Sequence, residues 1–145
     1  MQLSKFTDLG IRVLLLLSGT TDKTLTIADV ADRLSVSKNH LTKIVHFMSK
    51  QKWVSTIRGK NGGIQLANSP ESYKVGYLIR VLEESLHTNH GIVNCHTPRC
   101  VLTPACRLPF LLNAAMNQFY SHLDQYSLQD ILSYPIEHII PLKIN

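Results

Sequence analysis

Apolar residues recur along the chain with two different periods, and the changes of period mark out its elements. Phe6, Leu9, Val13, Leu16 and Leu17 return at helical spacing, which predicts a first helix over residues 5–18. Ser4 precedes it as an N-cap, and Gly19-Thr20-Thr21-Asp22 ends it. Ile27, Val30, Ala31 and Leu34 form one face of a second helix starting at Thr26. There Thr26-Ile27-Ala28-Asp29 resembles a capping box with Asp in place of Glu. Ser35-Val36-Ser37 makes a short turn, and a third helix runs from about residue 38 to residue 51 with Leu41, Ile44, Val45 and Met48 as its buried stripe. The period then drops to two. Residues 53–58 alternate like a strand, Lys60-Asn61-Gly62-Gly63 turns, and residues 63–66 return. Asn-Gly between such runs is a hairpin signal.

Helical spacing resumes in Val75, Leu78, Ile79, Leu82 and Leu86, giving a helix over residues 75–87. A broad stripe of Leu108, Leu111, Leu112, Ala115, Phe119 and Leu123 predicts a long helix from about Pro104 to Tyr126, able to serve a monomer core or a partner helix. Ser127-Leu128-Gln129-Asp130 caps a last short helix near 128–133, and residues 135–145 are apolar without a clear period. The fold class is therefore mainly α with a small β-hairpin. Two short helices joined by a tight turn are the helix-turn-helix plan, and the hairpin that follows is a wing. Residues 1–74 form this winged module. Residues 75–145 carry a cysteine loop and helices suited to dimerisation.

In the helix-turn-helix plan the second helix enters the major groove with its N-terminal residues against base edges. Those residues here are Ser37, Lys38, Asn39, His40 and Lys43. Arg58, Lys60 and Asn61 lie at the wing, placed for phosphates or the minor groove. Trp53 is expected to pack beneath the wing. Charge strengthens this reading. Residues 1–75 hold eleven Lys/Arg and five Asp/Glu, whereas residues 76–145 hold four and five. Between Asp32 and Glu71 there is no acidic residue, but Arg33, Lys38, Lys43, Lys50, Lys52, Arg58 and Lys60 fall there. A solvated basic face usually has acids interspersed; an acid-free block is the footprint of a polyanion such as double-stranded DNA.

The apolar run Val13-Leu14-Leu15-Leu16-Leu17 is only five residues, with Asp8 just before it. A signal peptide needs roughly 7–15 apolar residues and a membrane span about 20. A buried helix, no membrane association and a cytoplasmic location are expected. Nothing in the chain resembles an enzyme constellation: there is no Ser/His/Asp arrangement with local context, no phosphate loop and no HExxH.

The distinctive chemistry is in residues 94–106, which hold all three cysteines, Cys95, Cys100 and Cys106, spaced by four and five residues. Pro98 and Pro104 keep this stretch from being an ordinary helix. An odd count argues against a closed disulfide framework, and in a reducing compartment clustered thiols bind metal or do redox chemistry. Iron–sulfur clusters accept such spacing and occasional non-Cys ligands. Zinc prefers CxxC knuckles and four ligands; no CxxC is present, although His87, His90 and His96 are nearby. Unligated reactive thiols are the third reading. An electron-transfer or thiol-redox protein would explain the cysteines and leave the basic winged block without a purpose.

The winged helix with Arg58-Gly59-Lys60-Asn61-Gly62-Gly63 in its wing, then a helix, a three-Cys loop and a long helix, resembles the small iron–sulfur winged-helix transcription repressors over essentially the whole chain. The opening Phe6-Thr7-Asp8, the Lys38-Asn39-His40 segment and Thr103-Pro104-Ala105-Cys106-Arg107-Leu108 look most like the nitric-oxide-sensing branch. In another branch the first gap is longer and a His follows the last Cys by three residues, where this chain has Pro109. The resemblance implies a homodimer with one cluster, 4Fe-4S or 2Fe-2S, per subunit. Cys95, Cys100 and Cys106 would hold it, with Asp8 of the other subunit as fourth ligand and Arg12, one turn later, orienting that carboxylate. From the residues alone, Asp8 and Arg12 read as a surface ion pair. The resemblance implies repression of nitrosative-stress and nitric-oxide-detoxification genes at a near-palindromic operator, relieved by nitric oxide. The alternative within the same family is a 2Fe-2S regulator sensing redox state or iron–sulfur supply; a zinc-binding winged-helix regulator lies further off.

Overall fold

The computed structural model describes residues 2–20, 23–59, 62–86 and 92–132. The wing-tip residues Lys60 and Asn61, the end of the first turn at Thr21-Asp22, His87, His90 and the tail from residue 133 lie outside them. The chain is mainly helical with one two-stranded hairpin. Its elements are α1 (Lys5–Ser18), α2 (Ile27–Leu34), α3 (Lys38–Lys50), β1 (Val54–Ile57), β2 (Gly63–Leu66), a single 3-10 turn (Pro70–Ser72), α4 (Val75–Glu84), α5 (Leu108–Leu123) and α6 (Leu128–Ile131).

The caps act as the sequence predicts. The Ser4 hydroxyl accepts from the Thr7 N–H and so starts α1. Thr26 and Asp29 form a reciprocal capping box at α2, and at α6 the Asp130 carboxylate accepts from both the N–H and the hydroxyl of Ser127. Ser35 takes a left-handed conformation to end α2, and its N–H closes on the last carbonyls of that helix. Ser37 then caps α3 through the His40 N–H. The tight α2–α3 turn is thus fixed by a serine on each side of Val36.

One hydrophobic core holds these elements. Val13, Leu14, Leu16 and Leu17 of α1 meet Val30 and Ala31 of α2 and Leu41, Ile44, Val45 and Met48 of α3. Trp53 and Ile64 seal the base of the wing, and Trp53 is buried as expected. Leu78 and Leu82 of α4 and Leu128 of α6 join the same cluster. β1 and β2 pair antiparallel from Val54↔Leu66 to Ile57↔Gly63, leaving residues 58–62 as the connection. The loop is therefore wider than a two-residue Asn-Gly turn. Gly59 takes φ +116°, which disfavours any side chain, and its carbonyl accepts from the Gly62 N–H.

Two predicted helices are shorter by three residues or more. The helix after the cysteine loop begins at Leu108, not Pro104, and ends at Leu123. Residues 101–105 are turns, closed by Thr103 N–H to the Cys100 carbonyl and Cys106 N–H to the Leu102 carbonyl. The proline that belongs to the helix is Pro109, inside the first turn, where a missing N–H costs nothing. The helix predicted over 75–87 ends at Glu84, and Leu86 is exposed instead of contributing to the buried face.

Candidate functional site

The reader helix presents two faces. Leu41, Ile44, Val45 and Met48 are buried beneath it. Ser37, Lys38, Asn39, His40 and Lys43 are all exposed, together with Thr42, His46 and Lys50 further along. The first turn of α3 contains no acidic residue, so its free N–H groups and positive helix end face solvent without a competing carboxylate. The first turn of α2 differs. Its N-terminus is occupied by Asp29, whose carboxyl is held below the usual carboxylate range by the Thr26 hydroxyl and then the Thr26 N–H. Sequence reasoning misses Thr42, His46 and Lys50. They recur every fourth residue from Lys38, and that spacing is the signal that places them on the same outward face. Arg58 stands exposed at the edge of the wing connection.

Beyond α4, residues 92–107 fold on themselves. Asn94 organises the turn: its carboxamide oxygen accepts from the His96 and Thr97 N–H groups, and its amide nitrogen donates to the Thr97 carbonyl. His96 and Arg99 bridge, and one step outward the Cys100 N–H donates to the Cys95 carbonyl at 3.1 Å. All three cysteines are free; Cys95 and Cys100 are half-buried and Cys106 is exposed. Among the described residues no group of three or more His, Cys, Asp or Glu side chains is gathered closely enough to hold a metal ion. The donor chemistry nonetheless fits a thiolate-held iron centre, because three free thiols share one short segment and none is committed to a disulfide.

The loop leads into α5, and α5 is bare. No residue of that helix is buried. Leu108, Phe110 and Leu111 are half or more exposed, and Val101 and Leu102 of the adjoining turn are 90% and 65% exposed. The inner side of α5 rests on α4. Asp124, at its C-terminal end, accepts from the Tyr77 N–H at 2.7 Å and so caps α4 from a distance of 47 residues in sequence. The Arg80 guanidinium lies over the Tyr120 ring at 4.9 Å. Burial, then the charges of Glu83 and Glu84, push the Tyr120 hydroxyl above its ordinary pKa, against the opposing effect of Arg80. α4 in turn reaches α1, where the Glu83 carboxylate accepts from the Ser4 N–H at 2.8 Å.

Asp8 and Arg12 form an ion pair on the outer face of α1, 2.9 Å between Arg12 Nη2 and Asp8 Oδ2, with both side chains more than half exposed. Arg12 Nε also donates to Asp8 Oδ1 at 3.0 Å. The pairing expected from the four-residue spacing is present. Within one chain Asp8 joins no ligand group with the thiols among the described residues, and Arg12 makes both bonds to its carboxylate from the exposed side of α1.

A basic reader helix with its wing, joined through α4 and α5 to a free-thiol loop, defines a winged-helix DNA-binding transcriptional regulator. No helix among the described residues is long and apolar enough to cross a membrane. The chain belongs to the Rrf2 family, described as iron-dependent transcriptional regulators, whose profile matches residues 3–134. It is 43% identical over 136 residues to the HTH-type transcriptional regulator NsrR of Geobacillus kaustophilus, covering 91% of this chain and 90% of that protein. It is 40% identical to the NsrR of Bacillus licheniformis, covering 91% and 92%. Its fold is that of the B. subtilis global cysteine regulator CymR, with TM-score 0.68 at 21% identity over 92% of this chain and 98% of that one. The T. potens IscR structure matches equally, with TM-score 0.68 at 20% identity over 100% and 93%. These relatives are transcriptional regulators, not enzymes.

Proposed function

We propose that the chain is a homodimeric transcriptional repressor whose DNA binding depends on an iron–sulfur cluster and is relieved by nitric oxide. The observation that carries this reading is the free-thiol loop set directly before a helix with an uncovered apolar face. Cys95, Cys100 and Cys106 would hold the cluster, with Asp8 of the partner subunit as the fourth ligand and Arg12 orienting it. A cluster held by these residues would supply iron able to react with nitric oxide. Asp8 is exposed on α1 and paired, among the described residues, with an exposed Arg12, so reaching a partner costs little; a surface pair of this kind contributes about 0.3–0.5 kcal/mol.

The rest of the mechanism lies in this chain's own residues. α1 buries Val13, Leu14, Leu16 and Leu17 in the core that also positions α3. A contact at Asp8 made in one state and absent in the other therefore acts on the DNA-reading module without an intermediary, and only such a state-dependent contact can shift the equilibrium. The bare face of α5, with Val101 and Leu102, supports pairing of two copies. Two reader helices would then meet successive major grooves about 34 Å apart on a near-palindromic operator. Ser37, Lys38, Asn39, His40 and Lys43 would face the bases, and Arg58, Lys60 and Asn61 the backbone or minor groove. The regulated genes would serve nitric-oxide detoxification and nitrosative-stress defence.

The test is anaerobic purification followed by an absorption spectrum, iron and sulfide counts, and a DNA-shift assay with nitric oxide and, separately, dioxygen. A brown protein containing iron and sulfide, released from DNA by nitric oxide, is expected. A colourless protein with one zinc per chain overturns the cluster. Release by dioxygen alone replaces the nitric-oxide reading with redox sensing.

A further inference from the structure

The three-cysteine loop has thiol chemistry of its own. Cys95 and Cys100 stand opposite each other across the turn formed by His96-Thr97-Pro98-Arg99. Inside them His96 and Arg99 bridge, and the Cys100 N–H bonds to the Cys95 carbonyl at 3.1 Å. Residues facing each other across an antiparallel pair have Cα atoms about 4.5–5.5 Å apart, within the roughly 4.4–6.8 Å span of disulfides. Cys106 is placed differently. Its N–H goes to the Leu102 carbonyl at 2.9 Å, and it lies beyond a second set of turns. The loop thus sets two cysteines opposite each other and places the third apart, consistent with the lack of any three-ligand group among the described residues.

We propose that Cys95 and Cys100 of the metal-free chain form an intraloop disulfide by exchange with a low-molecular-weight disulfide. The thiolate of one cysteine attacks a sulfur of the reagent, forming a mixed disulfide and releasing one reagent thiol. The second cysteine's thiolate attacks the protein sulfur of that mixed disulfide and releases the other reagent thiol. The two cysteines lose two electrons, the reagent gains them, and the two protons end on the released thiols. The turn that joins the pair is open to the reagent: His96, Thr97, Pro98 and Arg99 are all exposed. Residues 92–107 include Arg99 and Arg107 and no acidic residue, which favours an anionic reagent such as oxidised glutathione. Closure would take two of the three proposed cluster ligands out of use until a reductant reopened them; that consequence rests on the proposed function, whereas the disulfide itself does not.

The sequence supplies its own test. Trypsin cleaves between Arg99 and Cys100, so residues 81–99 and 100–107 part after digestion unless a disulfide joins them. Metal-free wild-type protein and the Cys106→Ser variant are treated with oxidised glutathione, alkylated, digested without reductant and weighed. Cys106 is exposed, so its replacement removes no packing. The two peptides should travel as one species in both proteins and separate on reduction, with Cys106 alkylated in the wild type and the chain monomeric with respect to disulfides on a non-reducing gel. Alkylation of all three cysteines, loss of the link in Cys106→Ser, retention of glutathione on Cys106 alone, or a disulfide-linked dimer overturns the proposal. Because the readout needs no iron, its failure is separable from failure of the cluster.

Discussion

Gly76, in the first turn of α4, sets how closely α5 can approach. A methyl group built there overlaps the Tyr120 carbonyl oxygen and falls 2.7 Å from Asp124 Oδ1. Neither neighbour is free to withdraw. Tyr120 lies within α5, and Asp124 is bound to the Tyr77 N–H at 2.7 Å. The segment beside them is tied twice, by Val75 N–H to the Tyr126 carbonyl at 3.0 Å and Leu128 N–H to the Tyr73 carbonyl at 3.1 Å. Helix propensity alone would make Gly76→Ala stabilising by up to about 1 kcal/mol. Overpacking against backbone opposes it by about 1–3 kcal/mol, occasionally more. Loosening the Asp124 cap adds about 1 kcal/mol. The net expectation is a loss of about 2 kcal/mol, or about 4–8 °C in Tm for a chain of this size. Thermal and urea unfolding of the variant measure it. Gly10→Ala is the control, because the nearest neighbours of its methyl would be the Leu82 methyls at 3.1 Å and Met48 Cε at 3.3 Å, ends of side chains rather than backbone. An unchanged or raised Tm for Gly76→Ala would refute the close α4–α5 contact.

Three further outcomes are expected. Tyr73→Phe should cost about 1–2 kcal/mol in urea unfolding, because the buried hydroxyl accepts from the Asn68 N–H and donates to the Trp53 carbonyl; the Trp53 carbonyl keeps the Ala67 N–H, but Asn68 loses its partner. Lys43→Ala should reduce the slope of log affinity against log salt by about 0.9 if Lys43 meets one phosphate; an unchanged slope with loss confined to one base position would assign it to base reading instead. The Thr26–Asp29 box should make stability depend on acid pH. Its hydrogen bonds hold the Asp29 carboxyl below its ordinary value, so the unfolded chain binds that proton more readily. The stabilisation is present above the unfolded pKa of about 3.9 and is lost as pH falls through it toward the lower folded value. Thr26→Ala should flatten this part of the pH profile and cost about 0.5–2 kcal/mol at neutral pH, as read by urea unfolding across pH 2–7.

The elements legible in the sequence are those whose signals are local. The cap residues Ser4, Thr26 and Ser127 each announce a helix start within three residues, and the stripes Leu41-Ile44-Val45-Met48 and Val75-Leu78-Ile79-Leu82 report the buried side directly. What sequence spacing does not reveal is contact between distant segments. Asp124 capping α4, the Tyr120 carbonyl against Gly76 and Glu83 on the Ser4 N–H join positions 44 to 79 residues apart. The start of α5 lies four residues beyond its expected place because Pro104 and Pro109 carry the same local signal. Only the turn bonds of Cys100 and Leu102 show which proline stands inside the helix. For the candidate site, the outward positions of Lys38, Asn39, His40 and Lys43 follow from the helical period. The arrangement of the three thiols does not, since spacing bounds which cysteines can meet and not which ones do.

That limit bears on how the loop and the DNA-reading face are connected. The cysteine loop leads into α5, α5 lies on α4 through Asp124 and the Arg80–Tyr120 stack, and α4 touches α1 through Glu83 and the buried Leu82. α1 then shares its core with Met48 of α3. A change in the loop thus has a packed route to the reader within one chain, besides the proposed route through Asp8 of a second chain. The two routes make different demands. The internal route runs through Gly76, where the approach of α5 leaves no room for a methyl, so Gly76→Ala should disturb it. The Asp8 route needs an exposed carboxylate and no rearrangement of the core. If the chain responds to nitric oxide as proposed, loss of that response in Asp8→Ala, with Tm unchanged, would assign the switch to the proposed contact between subunits; loss in Gly76→Ala at a temperature where that variant remains folded, with Asp8→Ala still responsive, would assign it to the α4–α5 joint.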